Sequence, residues 1–301
     1  MGGDATPARK TFTLAVFFCI NLLNYSDRQA VSAVLPQLLD GKSNGLGADV
    51  SSTQGGMLTT AFIIVYMCVS PVFGYLADRT PSRKLLVMVG LTLWAFASGL
   101  SSFAPSYATL LAARAAVGIG EASYNTVAPV IISDMYPPAE RTAKLAVFYI
   151  AIPLGSAMGF MIGGQVGDML GWRWALRVTP ALLVLLTVFA VPLVYDPERG
   201  ASEGAGKGPV AGEAGSGIRG WWRDVSSVLS VPSMSFSIIG QAGCNFAIGA
   251  ITVWIPTTVT MIEGGPSVVA TRGGISPTLI FGAITVVSGL TGIAALRRLC
   301  L

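Results

Sequence analysis

Apolar and polar positions alternate on two length scales along this chain. On the long scale, eight runs of some twenty or more mostly apolar residues are separated by polar connections. The runs fall at about 11–39, 53–77, 84–103, 107–132, 144–167, 175–194, 233–262 and 277–296. A helix rising 1.5 Å per residue needs roughly 20 residues to cross a bilayer core. The pattern therefore predicts eight transmembrane helices. On the short scale, several runs carry polar residues at helical spacing. Asn21, Asn24, Arg28 and Ser32 make one stripe, Arg114, Gly118, Glu121 and Asn125 a second, and Gln241, Asn245 and Thr252 a third. The second, third and sixth runs are far less polar. A shared watery cavity bounded by the first, fourth and seventh helices is the expectation.

Composition agrees with the membrane reading. Of 301 residues, 52% are hydrophobic and 11% charged, and the mean hydropathy is +0.66. A soluble domain carries about 25% charged residues. The net charge of +4 does not point to nucleic acid, because the basic residues fall in short connections between the runs. The N-terminus and the even-numbered connections hold thirteen of them: Arg9, Lys10, Arg79, Arg83, Lys84, Arg141, Lys144, Arg199, Lys207, Arg219, Arg223, Arg297 and Arg298. The opposite side holds four, Lys42, Arg173, Arg272 and, just inside the sixth run, Arg177. By the positive-inside rule the N-terminus is cytoplasmic.

Residues 196–220 are rich in Gly, Ala and charge with little to bury, which predicts a flexible linker. It leads into Trp221-Trp222-Arg223-Asp224 and a short amphipathic stretch suited to a membrane interface. The expected organisation is a six-helix bundle over 1–195, a cytoplasmic linker with an interfacial segment over 196–232, and a partial second bundle of two helices over 233–301. Gly155, Gly159, Gly163, Gly167 and Gly171 recur every fourth residue and predict close contact with another helix. Cys19, Cys68 and Cys244 lie inside apolar runs and read as small buried hydrophobes, and Cys300 lies near the C-terminus.

Candidate chemistry rests on four ionisable residues inside the runs: Asp27, Arg28, Arg114 and Glu121. Each costs about 2.5–3.5 kcal/mol at a helix centre, so they should face one another or water rather than lipid. Counting residues from the helix ends puts Asp27 and Glu121 near the bilayer midplane, about 18 and 21 Å deep, and Arg114 about 10 Å deep. There is no histidine, which removes Ser-His and Cys-His catalysis, the usual zinc ligands and histidine proton relays. No Walker A pattern is present, and Gly118-x-Gly120 lacks the third glycine of a dinucleotide loop. Neither a cofactor, a metal, a nucleotide nor an enzymatic activity is expected. The four charges sum to zero. Protonating Asp27 or Glu121 would leave an arginine free to grip an anionic headgroup.

Gly74-Tyr-Leu-Ala-Asp78-Arg79 followed by Arg83-Lys84 resembles the signature loop of the major facilitator superfamily, and Arg114-x-x-x-Gly118-x-Gly120 its fourth-helix motif. The segments beginning at Asn21, Gly118, Phe148, Trp172 and Leu279 resemble the spinster lipid transporters, and the resemblance runs from about residue 15 to 296. It implies an all-α membrane protein of the major facilitator fold, with the first six-helix bundle complete and two helices of an incomplete second half. It further implies a proton-linked carrier of lysophospholipids or of sphingolipids such as sphingosine-1-phosphate. Asp27 and Glu121 would couple protons, Arg28, Arg114, Asn24 and Asn125 would handle substrate, and Gly74, Asp78, Arg79 and Arg83 would form the gating loop. Its partners would be lipid and protons, at a lysosomal or late endosomal membrane or else the plasma membrane. Carriage of another organic anion or a sugar is the alternative, as is a truncated isoform that transports nothing. The loop is one residue longer than the family's, and four helices that a full transporter would have are not in this chain.

Overall fold

The computed structural model describes residues 6–41, 45–46, 49–80, 82–203, 218–262, 280–289 and 291. The described chain is helical, with boundaries close to the apolar runs. Helices α1 (Pro7–Leu39), α2 (Ser52–Arg79), α3 (Arg83–Ser102) and α4 (Tyr107–Met135) follow in order. Helix α5 (Pro138–Leu170) starts six residues before its apolar run because Pro138 pre-sets the first helical turn. Helix α6 (Trp172–Leu193) is followed by α7 (Ile218–Leu229), α8 (Pro232–Ile262) and α9 (Ile280–Gly289). Part of the eighth apolar run lies outside the described residues, as do Lys42, Lys207, Arg272, Arg297, Arg298 and Cys300.

Helix starts obey local rules. Ser51 accepts from Gln54 N while the Gln54 side chain accepts from Ser51 N, a reciprocal cap on α2. Ser82 caps α3 through Leu85 N, and Ser106 caps α4 through Thr109 N.

The described bundle is apolar outside as well as inside. Ile64 on α2, Leu85, Val89 and Phe96 on α3, and Leu185, Val188 and Phe189 on α6 all stand exposed. In water that surface would aggregate; in lipid it is ordinary. Cys19, Cys68 and Cys244 also sit on this outer surface as free thiols rather than in the interior. An apolar position in a membrane helix can face lipid as readily as the core, so hydropathy alone does not separate the two.

Helix α5 packs along α1 through its glycines. A methyl added at Gly155 would meet Leu22 O, at Gly159 Ser26 O, and at Gly163 Ala33 Cβ. At Gly167 it would come within 3.0 Å of Gln37 Nε2. Ser26 Oγ spans the seam to Gly155 O at 2.9 Å. A spacing of four overshoots one α-helical turn by about 40°. The π turn at Ile162–Val166 winds less per residue and returns Gly163 and Gly167 to the α1 face. Gly171 does not belong to the stripe. It has φ +89° and open space around it, and it makes the turn from α5 to α6.

The start of the expected linker is docked. Asp196 accepts from Ser82 Oγ at 3.3 Å and from Lys84 N at 3.0 Å, at the α3 N-terminus. Arg199 donates to Ala77 O, Asp78 O and Thr80 O, closing the C-terminal end of α2. Ser202 Oγ reaches Ser133 O at 3.1 Å. Helix termini supply unpaired backbone donors and acceptors, which these polar residues satisfy. Residues 204–217 lie outside the described residues. The amphipathic stretch after them forms α7.

Candidate functional site

The four intramembrane charges form two cross-helix ion pairs between α1 and α4. Asp27 pairs with Arg114, Oδ2 to Nη1 at 3.2 Å. Arg28 pairs with Glu121, Nη2 to Oε2 at 2.7 Å and Nε to the same oxygen at 2.8 Å. Adjacent residues on a helix point about 100° apart, so neighbouring α1 side chains reach two positions on α4 two turns apart.

The pairs differ in their surroundings. Asp27 Oδ1 accepts from Ser98 Oγ of α3 at 2.7 Å and from Thr179 Oγ1 of α6 at 2.8 Å. Arg114 donates to Ser101 Oγ from Nε and Nη2, both at 3.0 Å, and to Ser98 Oγ from Nη2 at 3.2 Å. Both charges are buried and saturated with partners, a network joining α1, α3, α4 and α6. Glu121 is fully buried, and its Oε1 makes no well-formed hydrogen bond among the described residues; the Asn24 amide is the polar group beside the carboxylate. The Arg28 side chain keeps 25% of its exposure. Its guanidinium lies among the rings of Tyr25, Phe62 and Tyr66, at 5.2, 4.8 and 5.3 Å from their centroids.

Arg28 and Glu121 line a cavity of about 400 Å³ together with Asp27 and Arg114. α1 adds Tyr25, Gln29, Val31 and Ser32 to the wall, α4 adds Val117, and α8 adds Asn245, Ile248, Gly249, Thr252 and Val253. The first, fourth and seventh apolar runs thus meet at one cavity. The expectation falls short at α2, which contributes Leu58, Thr59, Phe62, Ile63, Tyr66 and Met67. Apart from Thr59 its lining is apolar and aromatic, so a search for polar stripes passes over it. Helical periodicity also overstated the stripes. Asn21 turns to α5, donating to Phe148 O at 3.0 Å. Gly118 faces α2, where a methyl would press on Phe62 O. Asn24 is buried with Nδ2 unpartnered, and Asn125 Nδ2 lies 3.5 Å from its Oδ1.

The candidate gating residues gather at the other end of α2. Gly74 faces Thr126 of α4, where an added methyl would find Cγ2 at 3.7 Å. Arg79 stacks on Tyr75 at 4.4 Å, and the exposed Asp78 accepts from Arg199 through its backbone oxygen. Arg83 is bound into the fold. It is 4% exposed, pairs with Asp134 at 2.5 Å and Asp196 at 3.6 Å, and donates to Pro197 O at 2.7 Å. Sequence reasoning missed Asp134 and Asp196. Their signal was slight: two carboxylates near a basic loop, each at the end of an apolar run.

A helical bundle with an apolar exterior and charges paired across a central cavity defines a polytopic membrane protein. Residues 17–299 match the Major Facilitator Superfamily, and the chain belongs to it. Within it the chain is similar to the spinster proteins. It is 37% identical to Protein spinster homolog 1 of Homo sapiens over 296 residues, 96% of this chain and 54% of that protein. It is 38% identical to Protein spinster homolog 3 of Danio rerio over 298 residues, 95% of this chain and 56% of that one. The chain spans about half the length of these curated relatives. In fold it is similar to a bacterial homologue of the human lysosomal transporter Spinster in an inward-facing, unoccupied conformation. The TM-score is 0.72 at 22% identity, covering 95% of this chain and 61% of that one.

Proposed function

We propose that this chain supplies the ion-pair site of a proton-linked secondary transporter for lysophospholipids or sphingolipids such as sphingosine-1-phosphate. The observation that carries this reading is the Arg28–Glu121 pair in the cavity wall, with one oxygen of a buried carboxylate unpartnered. A proton on Glu121 cancels its charge and weakens both bonds from Arg28. The three rings keep the guanidinium in place, where its planar fork can take a lipid phosphate through two parallel hydrogen bonds. Leu58, Ile63, Met67, Ile248 and Val253 offer an apolar wall for a single acyl chain. Asn24 and Asn125 supply polar groups beside the pair.

In this reading the two ion pairs divide the work. Glu121 carries the coupling proton and Arg28 meets the headgroup. Asp27 and Arg114 set the frame, because every strong partner they need is already present. Gly74, Asp78, Arg79 and Arg83 belong to the end that would move during gating, with Arg83 as its fixed point.

Binding of a fluorescent lysophospholipid to the purified chain in nanodiscs tests this. Binding should strengthen as pH falls, and Glu121→Gln should hold it at the acid level at every pH. Arg28→Gln should weaken it by at least about tenfold, the worth of a hydrogen bond to a charged group. A Glu121→Gln protein that keeps the wild-type pH dependence would sink the proposal.

A further inference from the structure

At the end of the bundle opposite Arg83, Arg177 of α6 lies between two aromatic rings. Its guanidinium carbon is 4.4 Å from the ring centroid of Phe103, just past α3, and 4.6 Å from that of Trp174. Both rings stand open, 66% and 52% exposed. Among the described residues the arginine makes one long hydrogen bond, Nε to Ser102 Oγ at 3.4 Å, which joins α6 to α3. Among the described residues no carboxylate pairs with it. Arg173, one turn earlier, is occupied differently, donating to Gly45 O and Ala104 O at 3.0 and 2.9 Å. Asp168, an acid at the same end, takes its hydrogen bond from Gln37 at 3.0 Å. None of these residues lines the central cavity.

We infer that Arg177, held between Phe103 and Trp174, is a binding site for the phosphate diester of a bilayer phospholipid. The acyl chains would run down the outer faces of α3 and α6. Three observations converge. The guanidinium lies against two rings, and among the described residues its two terminal nitrogens make no hydrogen bond, which leaves the fork that matches a phosphate. Exposed Trp and Phe beside it are the side chains that settle at headgroup depth. Beneath them the outer surface is apolar and unobstructed: an added methyl at Gly99 would touch nothing within 4 Å, and Phe96, Leu185 and Val188 are exposed below. An arginine that merely snorkels to water needs no ring on either side. This site is independent of whatever the cavity carries.

The test is native mass spectrometry of the purified full chain, released from detergent supplemented with equal amounts of phosphatidylglycerol and a diacylglycerol of the same acyl chains. Wild type should retain one phosphatidylglycerol in preference to the diacylglycerol. Arg177→Gln should lower its apparent affinity by at least about tenfold. Arg177→Lys should restore only part of it, since an ammonium keeps the charge and loses the stacked fork. Should Arg177→Gln fail to fold, the double variant Phe103→Leu, Trp174→Leu must show the same loss. Excess inorganic phosphate should not displace the lipid. Equal retention by wild type and the glutamine variant overturns the site. So does equal retention of the two lipids, full rescue by lysine, or displacement by phosphate alone.

Discussion

Asp27 and Glu121 are both buried carboxylates paired with arginine, and their surroundings set them apart. Both oxygens of Asp27 are engaged, by Arg114, Ser98 and Thr179. Replacing it with Asn strands a buried guanidinium, a loss of about 3–5 kcal/mol when one partner of a buried pair is removed. Glu121→Gln leaves Arg28 partly exposed and among three rings, so its cost should be smaller. The thermal midpoint of the purified chain should therefore fall much further for Asp27→Asn than for Glu121→Gln; equal drops would refute the division between them. Phe62→Leu removes the nearest of the three rings around Arg28. It should weaken lysophospholipid binding at acid pH by roughly two- to fivefold, the worth of an exposed cation–π contact, in the same binding assay.

The α1–α5 seam shows how a whole element depends on absent side chains. Gly155, Gly159 and Gly163 bring the α5 backbone against α1 carbonyls and Ala33. Gly159→Leu has no room beside Ser26 O and Gln29, so overpacking of about 1–3 kcal/mol or more is expected. Gly240→Leu on α8 enters open space and should be neutral. Thermal stability of the two variants in one detergent measures the contrast. The glycine spacing was readable in the sequence. The π turn that keeps Gly163 and Gly167 in line was not, because it answers to packing against α1 and leaves no residue signature. Gly171 matched the spacing by coincidence and serves a turn.

On the scale of the whole molecule, the buried Arg83 ties the ends of α3 and α4 to the segment after α6 through Asp134, Asp196 and Pro197. Arg83→Leu leaves two carboxylates without their common partner and should free that segment. Faster amide hydrogen exchange across residues 196–203, with little change in α1, is the expected result. Unchanged exchange there would mean that Arg199 and Ser202 hold the segment without it. Composition predicted a loose linker from residue 196, because Gly, Ala and charge bury little. It could not register that the helix ends nearby present unpaired backbone groups which the charges satisfy.

Where the long apolar helices fall was decided by the sequence alone, and so was the presence of four charges that must avoid lipid; five of the described helices are long and apolar enough to cross a membrane. Both follow from local quantities, the length of an apolar run and the cost of placing an ion in hydrocarbon. Only the tertiary structure decided which arginine meets which acid, that α2 walls the cavity, and that one carboxylate is saturated while the other keeps an open oxygen. Those outcomes depend on the rotational phase of each helix and on what the neighbouring helix presents at the same depth. No periodicity within a single run contains that information.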